Sequence, residues 1–221
     1  MRKSVSAVVL TAALSLSLSA CGSNDTAKTA NGGSGTTDAK PLAALTNLTG
    51  TSTAVKLDPM FLAGLTSLKL TPGVVGTAKL TEGSLIFPIT GGSATYYKPG
   101  SRSPYVESSI KHEGSGISLT DGKTKVELTN FVVDAGKSML MGDVSANGAS
   151  VVKGAPLFFL DGSTLKPLDT TTEAGKGILE GTKVELTKAA ADLLNTTYKV
   201  TALKPFFPVG IAKITLALPA K

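Results

Sequence analysis

Tryptophan is absent from this chain, and cysteine and histidine occur once each. Each shortage closes off a class of chemistry. A lone Cys21 has no partner for a disulfide within the chain, so no covalent staple holds the fold. A lone His112 falls short of the several His or Cys ligands that zinc sites usually need. Any Ser-His-Asp triad would have to run through His112, and no Gly-x-Ser-x-Gly elbow marks a nucleophile. The glycine-rich pieces Gly91-Gly92 and Gly114-Ser115-Gly116 lack the Gly-Lys-Ser/Thr ending of a phosphate loop and read as turns. No spacing singles out a carboxylate pair of the kind that cleaves glycosides. These absences argue against an enzyme and leave hydrolysis only as a secondary alternative. Basic runs interleaved with aromatics are missing too. The lysines from Lys56 to Lys137 are scattered, and the net charge of +6 is mild, so nucleic acid is not an expected partner.

What the chain does have begins at its N-terminus. Arg2 and Lys3 form a basic head, Val5 to Leu18 a short apolar middle, and Ser19-Ala20 a small-residue end before Cys21. These are the parts of a secretory signal. The apolar middle is too short and too serine-rich to span a bilayer, which takes about 20 mainly apolar residues. Leu18-Ser19-Ala20-Cys21 resembles a bacterial lipobox. The resemblance implies that the Cys21 thiol receives a diacylglyceryl group and that residues 1–20 are then removed. Stable anchoring takes more than one acyl chain, and a diacylated cysteine meets that condition. The expected partner is a lipid bilayer, and the expected location is the outer side of the cell membrane or the cell surface. Without Arg2 and Lys3 the net charge falls to +4.

Residues 21–40 contain no large apolar side chain. Such a stretch cannot bury enough surface to offset its ordering entropy, and it reads as a flexible tether. From Pro41 onward the composition changes, and residues 41–221 form one β-rich domain long enough for a real core. Asp58 followed by Pro59 is a helix start, with Met60, Phe61, Leu65 and Leu68 as its apolar stripe. Period-two alternation then takes over. Thr77–Thr81 and Ser84–Ile89 flank a Glu82-Gly83 turn as a hairpin. Further strands fall at 106–112, 125–134, 138–144, 150–160, 179–186 and 209–218, with Asp121-Gly122 and Asn147-Gly148 as turns. Thr187 caps a second helix over 188–195, with Ala189, Ala190, Leu193 and Leu194 as its apolar face. The fold class expected is all-β, an antiparallel sandwich or partly open barrel with two short accessory helices. A last strand that paired with an early one would tie the domain ends together.

The alternation over 106–112 puts His112 on one face with Val106 and Ile110. Asp121, Asp134, Asp143, Asp161 and Asp169 sit at strand ends or turns. No loop gathers acidic oxygens as an EF-hand does, and aspartate simply favours turns. From the residues alone no cofactor or metal is implied. The reading is a non-catalytic binding or structural module of the cell envelope, with an envelope protein, polysaccharide or small molecule as its partner.

Residues 110–119, with Asp143-Val144-Ser145 downstream, resemble the HtaA-type haem-binding domain of secreted and surface proteins of Gram-positive bacteria. The resemblance spans about residues 85–148. That family carries a Trp-Gly pair near its N-terminus, which a chain without tryptophan lacks. The resemblance implies haem as cofactor and a role in iron acquisition. It also implies a tyrosine iron ligand, for which Tyr96, Tyr97 and Tyr105 are candidates, with His112 beside it. Phe87, Ile110 and Met139 would line the slot. The alternative leaves His112 as a strand-end residue bonded to the following turn, with the tyrosines at a sheet rim.

Overall fold

The computed structural model describes residues 39–48 and 50–218. The signal segment, Cys21 and the tether as far as residue 38 lie outside the described residues. Alternating and β-branched runs become strands throughout. In chain order these are β1 (Ala43–Leu45), β2 (Ser52–Leu57), β3 (Thr71–Gly76), β4 (Lys79–Thr81), β5 (Ser84–Pro88) and β6 (Gly91–Tyr96). The long strands follow: β7 (Val106–Thr120), β8 (Lys125–Asp134), β9 (Met139–Ala146), β10 (Ala149–Asp161), β11 (Lys176–Leu186) and β12 (Pro208–Ala217). Helix α1 (Pro59–Ser67) follows β2, and α2 (Lys188–Tyr198) precedes the last strand.

All strands belong to one antiparallel sheet, in the order β1-β6-β7-β8-β9-β10-β11-β12-β2-β5-β4, with β3 added beside β7. The all-β expectation holds in its partly open form, because the sheet curls into a half-barrel. Contacts between strands far apart in the order show the curl. Phe87 of β5 packs edge-on against Phe131 of β8, with ring centroids 5.3 Å apart. The last strand does pair with an early one: β12 lies antiparallel to β2, with Ile214 opposite Thr53 and Ala212 opposite Val55.

The curl is built by bulges, each of which adds local bend and twist. Register slips between His112 and Gly116 in the β7–β8 ladder, between Thr129 and Val132 in β8–β9, and between Val152 and Ala155 in β9–β10. A hydrogen-bonded seam crosses all four strands at these slips. The Gly114 amide donates to Asn130 Oδ1 at 3.0 Å, the Asn130 amide to Asp143 Oδ2 at 2.9 Å, and the Gly154 amide to Asp143 Oδ1 at 2.9 Å. Asn130 has φ of +53°, a conformation asparagine tolerates better than most side chains. The seam faces solvent, and the opposite face carries Ile110, Phe131 and Val133 into the core.

Here the sequence expectation needs correcting. Gly114-Ser115-Gly116 and Gly91-Gly92 lie within β7 and β6, not in turns. Gly92 and Gly116 serve close backbone approach: a Cβ on Gly116 would stand 2.2 Å from the Leu128 carbonyl oxygen, and one on Gly92 would clash with the Ser109 carbonyl. His112 is therefore mid-strand, and no turn follows it.

The helices cover the core as their caps foretell. Asp58 accepts from the Met60 amide at 2.7 Å, and Thr187 from the Ala190 amide at 3.0 Å. The faces differ in detail from the expected stripes. In α1, Phe61 and Leu65 are buried while Met60 is 64% exposed. In α2 the buried residues are Ala190, Ala191 and Leu194, and Ala189 faces water.

Candidate functional site

The concave side of the half-barrel holds a cavity of about 300 Å³. Its walls come from β2, β6 to β12 and the Ser103–Tyr105 connection that leads into β7. Alternation along each strand supplies aliphatic side chains to this side; Val55, Ile110, Val133, Leu140, Leu179 and Ile214 are examples. The polar groups at its walls are hydroxyls, among them Thr53, Ser108, Ser138, Thr182 and Tyr105, and no charged side chain lines it. An aliphatic chamber with a few hydroxyls suits an apolar ligand held by a small number of hydrogen bonds.

The three candidate tyrosines have different places. Tyr105 lines the cavity and is the one Tyr, His, Cys or Met side chain that does so among the described residues. Burial, with the neighbouring Tyr96 phenol second, raises its pKa above the ordinary value. Tyr96 is buried behind it, ring to ring at 6.1 Å, and its hydroxyl accepts from the Leu168 amide at 3.2 Å. Tyr97 turns to the connection: its hydroxyl lies 3.4 Å from Glu107 Oε2, the Arg102 guanidinium stands 4.3 Å over its ring, and Arg102 pairs with Glu107.

His112 is 1% exposed, more deeply buried than any of the tyrosines. It does not line the main cavity. It borders a small apolar void of about 40 Å³ beside it, together with Phe87, Phe131 and Phe158. Its Nε2 lies 2.8 Å from Thr53 Oγ1, across the half-barrel. Nδ1 has no hydrogen-bond partner. Burial pushes the imidazole pKa down to about 4, and the Phe131 backbone draws it part of the way back without reaching hydrogen-bond geometry at Nδ1. Of the expected slot residues, Ile110 lines the main cavity, Phe87 lines the small void, and Met139 lines neither.

Thr53 is the site residue that the sequence reading missed. It is 5% exposed and borders both the cavity and the void. A signal for it exists in Ser52–Leu57, where Thr53, Val55 and Leu57 alternate with exposed or half-exposed residues.

The aspartates act as turn and bulge caps. Asp121 accepts from the Lys123 and Thr124 amides, Asp134 from Lys137, Asp161 from Ser163, and Asp169 from Thr171 and Thr172. These donors hold their carboxyl groups below the usual range. Among the described residues, no three His, Cys, Asp or Glu side chains gather as a metal site, and no helix is long and apolar enough to cross a membrane.

No family model and no curated protein matches this chain. Solved structures do. The C-terminal domain of HtaA from Corynebacterium glutamicum aligns over 78% of this chain and 99% of its own, at 13% identity and a TM-score of 0.52. The haem-binding protein HtaB from Corynebacterium glutamicum aligns over 79% of this chain and 96% of its own, at 12% identity and a TM-score of 0.49. At 13% identity the likeness to the HtaA domain is one of fold.

Proposed function

We propose that this chain is a bilayer-tethered binding module outside the cytosol, which captures a largely apolar ligand of the haem class in the half-barrel cavity. The observation that carries the reading is the cavity itself. The half-barrel leaves about 300 Å³ open on its concave side and lines it with aliphatic groups and hydroxyls. That volume lies at the lower end of the range for small-molecule sites. Haem is named because the sequence over residues 85–148 resembles HtaA-type domains, and the HtaA fold likeness agrees with that choice.

The lining fits the group in two respects. Its aliphatic walls suit a macrocycle, and Tyr105 offers a phenol oxygen, an accepted axial ligand for haem iron. Tyr105 is protonated in the free protein, since burial opposes its anion. Iron binding would supply the opposing cationic charge, as bound metal ions invert local pKa behaviour. Tyr96 and Tyr97 have their hydroxyls engaged elsewhere, so Tyr105 carries the assignment. The tether rests on the lipobox resemblance at Cys21.

The test is a haemin titration of residues 22–221. Binding should bring a Soret shift, and Tyr105→Phe should change the band position and weaken binding, while Tyr97→Phe leaves both alone. An unchanged haemin spectrum on adding excess protein would overturn the haem assignment.

A further inference from the structure

The polar pair between the cavity and the small void has a property that the aliphatic walls do not. Thr53 Oγ1 and His112 Nε2 lie 2.8 Å apart, and both residues are more than nine-tenths buried. They belong to β2 and β7, strands that are not neighbours in the sheet. The hydrogen bond therefore spans the interior, where no ladder requires it.

The direction of this bond follows from what surrounds the ring. A neutral imidazole carries its proton on one nitrogen only. If that were Nδ1, a buried N–H would have no acceptor in hydrogen-bond geometry among the described residues, the Phe131 backbone included. Orphaned buried N–H groups are rare and costly, whereas an unused acceptor lone pair is tolerated more often. The proton therefore sits on Nε2 and is donated to Thr53 Oγ1. A threonine hydroxyl has one proton to give and two lone pairs to fill. With His112 on one lone pair, the hydroxyl proton remains to be placed. Among the described residues, no other hydrogen bond of the Thr53 hydroxyl exists; Thr53 borders both the main cavity and the small void, and of the two only the main cavity has room for a ligand.

We infer that Thr53 and His112 form a polar anchor in the cavity wall, in which His112 holds the hydroxyl so that its proton is offered to an oxygen of the bound ligand. The inference rests on the cavity being a ligand site, and it deepens that reading by specifying the ligand's chemistry. The ligand is an apolar body that carries a carboxylate or carbonyl oxygen. A pure hydrocarbon would leave the Thr53 proton unmatched inside the cavity. His112 is a positioning residue here. It borders the void and not the cavity, so it acts on the ligand only through Thr53.

Two measurements test this. The first needs no ligand. Because the chain has one histidine, its ring nitrogens are assigned without ambiguity in a ¹⁵N NMR spectrum of residues 22–221. At pH 7 we expect a protonated Nε2 and a bare Nδ1. The reverse pattern would overturn the inference, since Thr53 would then be donating to the ring and have no proton to offer.

The second uses two carboxylate-bearing apolar probes, haemin and cis-parinaric acid, with Thr53→Val and Thr53→Ser. Valine keeps the shape and removes the hydroxyl; serine keeps the hydroxyl. We expect Thr53→Val to weaken binding about tenfold, in line with one lost hydrogen bond to a charged acceptor, and Thr53→Ser to restore most of it. Near-UV circular dichroism checks that both variants are folded. If parinaric acid binds and responds in this way while haemin does not bind, the anchor stands and the haem assignment fails. If either probe binds equally well to the wild type and to Thr53→Val, the anchor is wrong. If neither probe binds the wild type, the anchor is wrong as well, because the ligand chemistry it requires is not recognised.

Discussion

A histidine held neutral inside a protein couples stability to pH. The unfolded chain titrates near the ordinary value of about 6.5, whereas burial holds folded His112 near 4. Between those values the unfolded state binds the proton and the folded state does not. Stability is therefore full above about pH 6.5 and falls as pH drops toward 4. The separation corresponds to a loss of about 3 kcal/mol. Urea midpoints between pH 7.5 and 4.5 should record the decline, and His112→Asn should flatten it. Shifted carboxyls such as Asp143 and Asp161 also lose stability on acidification. Their loss begins only near pH 5, as unfolded aspartates start to protonate, so the window from about pH 6.5 to 5 belongs to His112. At this scale the sequence was half legible. Alternation placed His112 on the buried face with Ile110. It could not show that Thr53, 59 residues away, would meet the ring. Nor could it choose among three tyrosines, because their orientation depends on the connection between β6 and β7.

Among the elements, the seam through Gly114, Asn130, Asp143 and Gly154 has the most to lose. Asn130→Ala removes two hydrogen bonds, to the Gly114 amide and to Asp143, at a residue with φ of +53°. The loss of both, plus the strain of alanine in that conformation, should cost about 2 kcal/mol. A lowered urea midpoint with unchanged m-value would report it. Asn130→Gly should recover only the conformational part. The strands with strict alternation, such as β8 and β9, could be read from sequence. Short or glycine-bearing ones, β1, β3 and β6 among them, could not. Local composition in β7 says turn at Gly114-Ser115-Gly116. Pairing of Ser115 and Gly116 with β3, and of Gly116 with β8, overrides it, because backbone hydrogen bonds across the sheet outweigh a local preference.

For the whole molecule, closure depends on the last strand. Without β12, β11 and β2 would become open edges, and Ala212 and Ile214 would be lost from the cavity wall. Sequence alone identified the terminal strand but not its partner. It could not anticipate a cavity, because a void is a property of how far the sheet curls and has no residue of its own. The membrane attachment we propose has an independent test. Cys21→Ser should move the protein from the membrane pellet to the soluble extracytoplasmic fraction, with folding unaltered. Retention in the pellet would remove the lipid anchor from the account. The seam that bends β7 to β10 lies on the outside, whereas whatever occupies the hollow touches only the inside. Shape and taste are thus written on opposite surfaces of the same strands. Residues such as Val133 and Leu140 could be exchanged to suit a different guest while the vessel keeps its curvature.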